Sequence, residues 1–297
     1  MNATQFNPVL YKTTTQQQWQ SAAKAWNDWG DTLGTWLGPA TETMLDMAKV
    51  NTGARVLDVA AGAGGQSLQA AVRIGAGGYV LATDISSNIL DYAAAAARAQ
   101  GLFQVDVRVM DGEDLALEPG SFDAAISRVG LIYFPDQQRA LKGILNALKP
   151  GSWFAAIVYS TPQNNAFFSL PVSLIRERAA LPPPLAGQPG PFSLGSPGVL
   201  RQALADAGFE DAEERVVAAP LRLSSASECV RFERESFGAL HQMLGGLDAP
   251  AQDSVWSEIE QALARYDGAD GFVGPCELVI AAGRRPLQAS GGPQTLA

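Results

Sequence analysis

The sequence predicts an α/β protein: a doubly wound, mostly parallel sheet preceded by N-terminal helices and carrying a helical cap or lid. Two observations carry this reading. Short β-branched apolar runs alternate with helical patterns from Arg55 to Tyr159, and regular alternation of strand and helix builds a parallel sheet with helices on both faces. The first of those runs ends in an acid and a turn of small residues that opens a helix, as ligand-binding loops do at the carboxyl edge of such sheets.

From Trp19 to Leu37 the large apolar residues recur every three to four positions. This sets Trp19, Trp26, Trp29, Leu33 and Trp36 along one helical face, with Gly30 a candidate break and Gly38-Pro39 the expected end. With a second helix over Thr41 to Lys49 they form an N-terminal helical segment, 1–50. Arg55 to Ala60 reads as a buried parallel strand. There follow a helix at 65–75, a strand at 79–84, a helix at 87–99, strands at 103–110 and 122–126, a helix at 136–148 and a strand at 153–159. Together they make a core over 51–160. Residues 161–198 hold Pro162, Pro171, Pro182, Pro183, Pro184, Pro189, Pro191 and Pro197, each without the amide a ladder needs, so this stretch reads as a surface lid insert. The core continues over 199–223, with a helix at 197–207 stopped by Gly208 and a strand near 214–223. Helical stretches at about 225–244 and 250–267 form a cap insert over 224–272. A last strand, Glu277 to Ala282, lies within 273–286, and the polar, aperiodic stretch 287–297 is expected to be a disordered tail.

Of the 297 residues 47% are hydrophobic and 17% charged, with 6 Trp, 12 Phe and 6 Tyr, which excludes wholesale disorder. Acidic residues outnumber basic ones 30 to 21, and a net charge of −9 with no Lys/Arg cluster argues against a nucleic-acid partner. The cysteines, Cys229 and Cys276, are spaced for neither a disulfide framework nor a zinc site, which suits a reducing cytosol. With one histidine and no clustered carboxylates, no metal is expected. The N-terminus lacks a signal-peptide pattern and no run approaches the roughly 20 apolar residues of a membrane span. The expectation is a cytoplasmic protein without a membrane partner; nothing in the pattern specifies an oligomeric state.

The chemistry concentrates in Val56-Leu-Asp-Val-Ala-Ala-Gly-Ala-Gly-Gly-Gln66. Small residues at Ala60, Gly62 and Gly64 let the backbone approach a ligand, and the helix start beyond them offers free N–H groups. Asp84 ends the next strand about 20 residues on, where a carboxylate accepts both hydroxyls of a ribose; its competing role is to cap the helix through Ser86-Ser87. A dehydrogenase loop would place Gly or Ala where this chain has Ser67, and Asp58 would repel a pyrophosphate while meeting an ammonium group. S-adenosylmethionine carries an ammonium and a carboxylate and no phosphate. Asp111, Gly112 and Glu113 follow the third strand, placed to accept from an adenine amino group.

This ensemble resembles the class I, S-adenosylmethionine-dependent methyltransferases, whose sheet is Rossmann-like. It is most similar to the ubiquinone/menaquinone-type (type 11) small-molecule enzymes, in Val56 to Gly64, Ala82-Thr-Asp84, Asp111-Gly-Glu113, Ser127-Arg128, Tyr133-Phe-Pro-Asp136 and Leu148-Lys-Pro-Gly151. The resemblance implies that Asp58, Gly62 and Gly64 line the methionine portion, with Asp84 and Ile85 at the ribose and adenine face, Asp111 and Gly112 at the adenine and Ser127 as the floor near the methionyl group. Ala60, Gln66 and Glu113 are further candidates for cofactor contact. Ala60 stands where the family has the first glycine of its loop, which fits if the backbone there keeps a negative φ.

The expected reaction is in-line methyl transfer to a small, apolar or aromatic acceptor, at carbon or oxygen, leaving S-adenosylhomocysteine. It depends chiefly on holding the reacting atoms collinear in a closed pocket. His241 and Tyr133 are the candidate catalytic residues, and a lone histidine on a cap helix is more often an ordinary surface residue. Tyr11, Trp19, Trp26, Arg128, Tyr133 and Phe168 are candidates for the acceptor pocket. The tryptophan stripe serves equally as a packing face worth roughly 1.5–3 kcal/mol per buried ring, and Arg128 equally as the partner of Asp123 or Asp136. The rival readings are an NAD(P)-dependent oxidoreductase and a catalytically silent S-adenosylmethionine-binding interaction protein.

Overall fold

A computed structural model describes residues 6–185 and 187–287. The expected tail at 288–297 lies outside the described residues. The main sheet has seven strands in the order β3-β2-β1-β4-β5-β10-β6: Val105–Val109, Tyr79–Asp84, Arg55–Val59, Phe122–Arg128, Leu148–Tyr159, Glu277–Arg284 and Glu210–Ala218. The first five run parallel, and β10 lies antiparallel between β5 and β6. The fold is thus the doubly wound, mostly parallel, Rossmann-like sheet that the alternation predicts. β1 is central: Val56 pairs with Val80 on one side and Ala124 on the other, and its residues from Val56 to Val59 are buried. The connections from β1 leave in one direction to β2 and the chain returns on the other side at β4, so a crevice opens above the carboxyl ends of β1 and β4. β6 carries Glu210, Asp211, Glu213, Glu214 and Arg215, the charged composition of an open edge.

Helices α3 (Gly65–Ile74), α4 (Ser87–Ala99), α5 (Gln137–Ala147) and α7 (Val199–Asp206) follow the expected pattern. The N-terminal segment differs. α1 (Pro8–Asp28) and α2 (Gly30–Met47) part at Trp29, and α2 runs straight through Pro39. Leu33, Trp36, Leu37, Ala40, Thr41, Met44 and Leu45 form one buried face across the proline, and that burial outweighs the hydrogen bond Pro39 cannot make.

The segment 161–198 is only in part the surface insert its prolines suggest: 181–185 and 187–198 carry no helix or strand and are mostly exposed or half-buried. It also contains α6 (Ala166–Arg178), whose Phe167 and Phe168 are buried among Trp36, Tyr159 and Phe237, and its described residues are not among those lining the crevice. The strand expected near 214–223 divides before Pro220. Residues up to Ala218 stay in the main sheet, while β7 (Leu221–Leu223) joins β8 (Asp267–Gly268) and β9 (Gly271–Gly274) in a small antiparallel sheet. The first cap helix breaks into α8 (Ala226–Ser236) and α9 (Gly238–Leu244) at Phe237, ahead of α10 (Ala249–Leu263). α8 and α9 pack on α1. Among the described residues no helix is long and apolar enough to cross a membrane.

Candidate active site

A cleft lies above the carboxyl ends of β1, β2 and β4. Its floor is the loop after β1. Three residues of that loop, Ala60 (φ 60), Gly62 (φ 57) and Gly64 (φ 88), take left-handed backbone. Ala60 therefore does not keep the negative φ expected of it. Ala61 N–H must turn to donate to Thr83 O on β2 (2.9 Å) and Gly64 N–H to Ala61 O (3.0 Å), and the left-handed residue at 60 turns the chain out of the strand. Gly64 sits below the cleft, where a Cβ would stand 2.8 Å from that of Ala93.

Asp58 is wholly buried beneath the loop and does not reach the cleft surface. Ser67 Oγ donates to its Oδ2 (2.5 Å) and Gln66 Nε2 to its Oδ1 (3.3 Å), so it orients the loop and the first turn of α3. Burial pushes its carboxyl up to about 7, against the hydrogen bonds from Ser67 and Gln66 and the field of Arg128. Asp84 ends β2 at the cleft wall. Its Oδ2 accepts from Gly62 N–H and its Oδ1 from Ser86 N–H, each at 3.0 Å. The carboxylate thus holds the loop while facing the cleft, and burial raises its pKa against those backbone donors. The helix that follows is capped instead by Ser86, whose Oγ accepts from Ile89 N–H.

Gln66, Ile85, Asp111 and Gly112 also line the cleft. Gly112 underlies the ring of Phe134, whose nearest atom would be 2.4 Å from a Cβ there. Glu113 does not join them. Its Oε1 accepts from Asp136 N–H (2.9 Å) and its Oε2 from Lys12 Nζ (2.5 Å), so it braces α1 against the loop after β4. Ser127 is buried under Gly130 rather than forming the floor, and its Oγ has no hydrogen-bond partner.

α1 covers the opening. Trp19 meets Trp26 and Tyr133 edge to face, at centroid distances of 5.3 and 5.4 Å, and Trp26 meets Phe237 at 5.9 Å, giving the cleft an aromatic wall. Gln16 donates to Ile85 O (3.1 Å), and Gln20 accepts from Ser86 Oγ (2.6 Å) and Asn88 N–H (2.9 Å). Lys12 Nζ bonds Asp111 Oδ2 at 2.7 Å in addition to Glu113. Burial lowers the Lys12 ammonium's pKa, yet the two carboxylates outweigh it and raise it overall. The cover is therefore the N-terminal helix, with Phe237 from the cap, and not the proline-rich insert.

Three acceptor-pocket or catalytic candidates lie elsewhere. His241 is exposed on α9 with Nε2 against Arg234 O and its ring beside Trp256, because the cleft-facing turn of the cap is at Phe237. Tyr11 packs edge to face on Phe6 and lines no part of the cleft. Phe168 is core, against Tyr159 and Phe237. Tyr133 does line the cleft, and burial pushes its phenol up, so it is a neutral hydroxyl at ordinary pH. Arg128 also lines it and pairs with neither suggested acid. Asp123 is taken by Lys149 (2.5 Å) and Arg55 N–H (2.9 Å), Asp136 caps α5 through Arg139 N–H (2.9 Å), and Arg128 donates to Thr41 Oγ1 (3.0 Å).

Lys12, Val129, Gly130, Tyr159 and Phe237 are cleft residues that sequence reasoning missed. Val129 and Gly130 carried a usable signal, since they directly follow a strand at the carboxyl edge. Val129 sits at φ 59, a strained conformation for a β-branched residue of the kind that collects at functional sites. Lys12 carried none, being placed by the docking of a helix about a hundred residues away in sequence.

The fold, the crevice and its small-residue loop with a carboxylate on the next strand define an α/β protein with a candidate nucleotide-cofactor site. Residues 56–151 match the family described as a methyltransferase domain. Nocamycin O-methyltransferase of Saccharothrix syringae is 31% identical over 65% of this chain and 72% of its own length. The ubiquinone/menaquinone biosynthesis C-methyltransferase of Idiomarina loihiensis is 32% identical over 40% of this chain and 47% of its own. A Haemonchus contortus phosphoethanolamine N-methyltransferase solved with S-adenosyl-L-methionine shares the fold, with a TM-score of 0.52 at 23% identity over 84% of this chain and 52% of that one. The chain belongs to the class I, S-adenosylmethionine-dependent methyltransferases.

Proposed function

We propose that the chain transfers the methyl group of S-adenosylmethionine to carbon or oxygen of a small, apolar or aromatic acceptor. The observation that carries this is a single cleft lined both by the loop backbone with Asp84 and Asp111 and by an aromatic cluster of Trp19, Trp26, Tyr133 and Phe237. The residues present suit the cofactor. The left-handed loop and Gly112 allow close approach, Asp84 has acceptor capacity left for a ribose, and a sulfonium between aromatic faces is favourably placed. When bound, the cofactor supplies an electrophilic methyl group.

The chain's own part is to position and to exclude water. The aromatic wall holds a flat or apolar acceptor against the loop, and α1 closes the space over it, so that approach geometry rather than acid–base chemistry is the main contribution. Tyr133 and Tyr159 keep their protons because burial raises both, and Lys12 is held by two carboxylates. An acceptor acidic enough to ionise by itself, such as a phenol or enol, suits a cleft furnished in this way.

The test is calorimetric titration of the purified protein with S-adenosylmethionine, S-adenosylhomocysteine and NADH, repeated on Asp84→Ala, followed by an acceptor screen with labelled methyl donor. Micromolar binding of both adenosyl compounds, lost in the variant, supports the reading. Binding of NADH alone overturns it in favour of an oxidoreductase. Cofactor binding without methyl loss to any phenol, enol or quinol acceptor overturns the enzymatic half and leaves a silent binding protein.

A further inference from the structure

A second, smaller pocket lies between α1 and the turn from α8 to α9. It shares Trp19, Tyr133 and Phe237 with the cleft, so these three rings stand between the two spaces. Ala22 on α1 and Gly238 and Ala239 on α9 keep it open, since none carries a side chain beyond Cβ. A Cβ on Gly238 would stand 3.2 Å from that of Gln18, so the glycine also sets how closely the two helices approach. Ser236 lines the same pocket, and its Oγ is fully buried without a hydrogen-bond partner among the described residues. A buried hydroxyl left unpaired is costly, and a ligand that supplies the partner recovers the loss.

α1 is fastened unevenly over this region. On the side of α4 and the loops after β2 and β3 it is pinned by Lys12 to Asp111 and Glu113, by Gln16 to Ile85 O and by Gln20 to Ser86 and Asn88. On the cap side its one hydrogen bond among the described residues is from Gln18 to Gln242, and that pair is exposed. Water replaces an exposed amide pair at little cost, so the cap side is where α1 parts from its neighbours most readily.

We propose that the acceptor enters between α1 and α9 and that its distal part stays in this pocket, with a hydroxyl or carbonyl bonded to Ser236. The acceptor is then longer than a single ring: an apolar or aromatic reacting part in the cleft and a hydrogen-bonding group beyond Phe237. This rests on the acceptor reading given above and deepens it. Phe237, at the break between α8 and α9, is the ring that turns for the two spaces to join. A trapped water is the competing partner of Ser236.

The test is calorimetric titration of the protein saturated with S-adenosylhomocysteine, using three phenols as probes: β-naphthol, para-phenylphenol and para,para′-biphenol. Wild type should bind the biphenol about fivefold tighter than para-phenylphenol, the scale of one hydrogen bond to a buried group. Ser236→Ala should abolish that preference by weakening the biphenol alone. Ala239→Leu, at a half-buried position, should weaken both two-ring extended probes by about tenfold or more, because its side chain takes their space. β-Naphthol and S-adenosylhomocysteine should bind both variants as they bind wild type. An unchanged preference in Ser236→Ala, or unchanged binding of the extended probes to Ala239→Leu, overturns the assignment and leaves a water on Ser236. Should Ala239→Leu not fold, Ser236→Ala carries the comparison alone. Binding of β-naphthol without either extended probe overturns this inference and leaves the acceptor reading standing. Binding of S-adenosylhomocysteine without any phenol overturns both, and failure to bind S-adenosylhomocysteine overturns the cofactor reading on which they rest.

Discussion

The methyl group of Ala60 occupies the space a side chain at Gly130 would need: a Cβ on Gly130 would stand 2.4 Å from Ala60 Cβ. The loop after β1 and the end of β4 are therefore matched in volume, with the alanine on one and the vacancy on the other. Gly130→Ala is expected to cost more than about 2 kcal/mol, since overpacking and strain add at a site with no room to relax. Ala60→Gly should stay within about 1 kcal/mol of wild type, because relief of left-handed strain and the freer unfolded chain oppose each other. The double variant should recover much of the loss. Urea melts of the four proteins give the coupling; additive effects would show that the two residues are not matched.

Lys12 is the latch of the covering helix. Lys12→Ala leaves the buried Glu113 carboxylate without its cation and frees Asp111. A partly exposed pair of this kind contributes about 1–2 kcal/mol. The expected result is faster amide exchange over residues 8–28 and faster cofactor release, with the exchange of β1 and β4 unchanged. Uniform acceleration throughout the protein would mean the pair supports global stability instead.

Asp58 should impose a pH dependence on stability. Its folded pKa of about 7 lies above the ordinary 3.8, so the folded state binds the proton more tightly between those values. Its stabilising effect is full below about pH 4 and is lost as pH rises through 7, with a slope of at most about 1.4 kcal/mol per pH unit. Asp58→Asn keeps an oxygen for Ser67 and cannot ionise. Its melting temperature should fall less than that of wild type between pH 4 and 7. An identical slope in the two proteins would place the titration elsewhere, with Asp84, raised in the same direction, the first residue to substitute next.

His241→Ala is expected to leave kcat/KM within about twofold of wild type, because the imidazole is exposed and turned toward Trp256 and Arg234 rather than the cleft. Surface substitutions away from buried features change stability by about 0.5 kcal/mol or less. A drop of a hundredfold in activity with an unchanged melt would place His241 in the reaction.

Much of the core was legible because its signals are local. Val56–Val59 and Val80–Asp84 are buried and read as short, mainly apolar runs, and Gly62 and Gly64 mark the loop because its turns need left-handed backbone. The same local logic pointed to Asp84, Asp111 and Gly112, and the family resemblance to Ile85, all of which line the cleft. It failed at Pro39 and at Phe167 and Phe168, where tertiary burial overrode a helix breaker and a proline-rich composition. It also failed at His241 and Glu113, since which face of an element meets the cleft depends on neighbours distant in sequence.

The sequence by itself determined the order of strands and helices, the ligand loop and the family, all of which follow from spacings within a few tens of residues. Only the tertiary structure decided that α1 covers the cleft, that Lys12 joins Asp111 and Glu113, and that Arg128 meets Thr41. Those relations bring together side chains up to about a hundred residues apart, and they depend on how whole elements dock, which no local periodicity encodes.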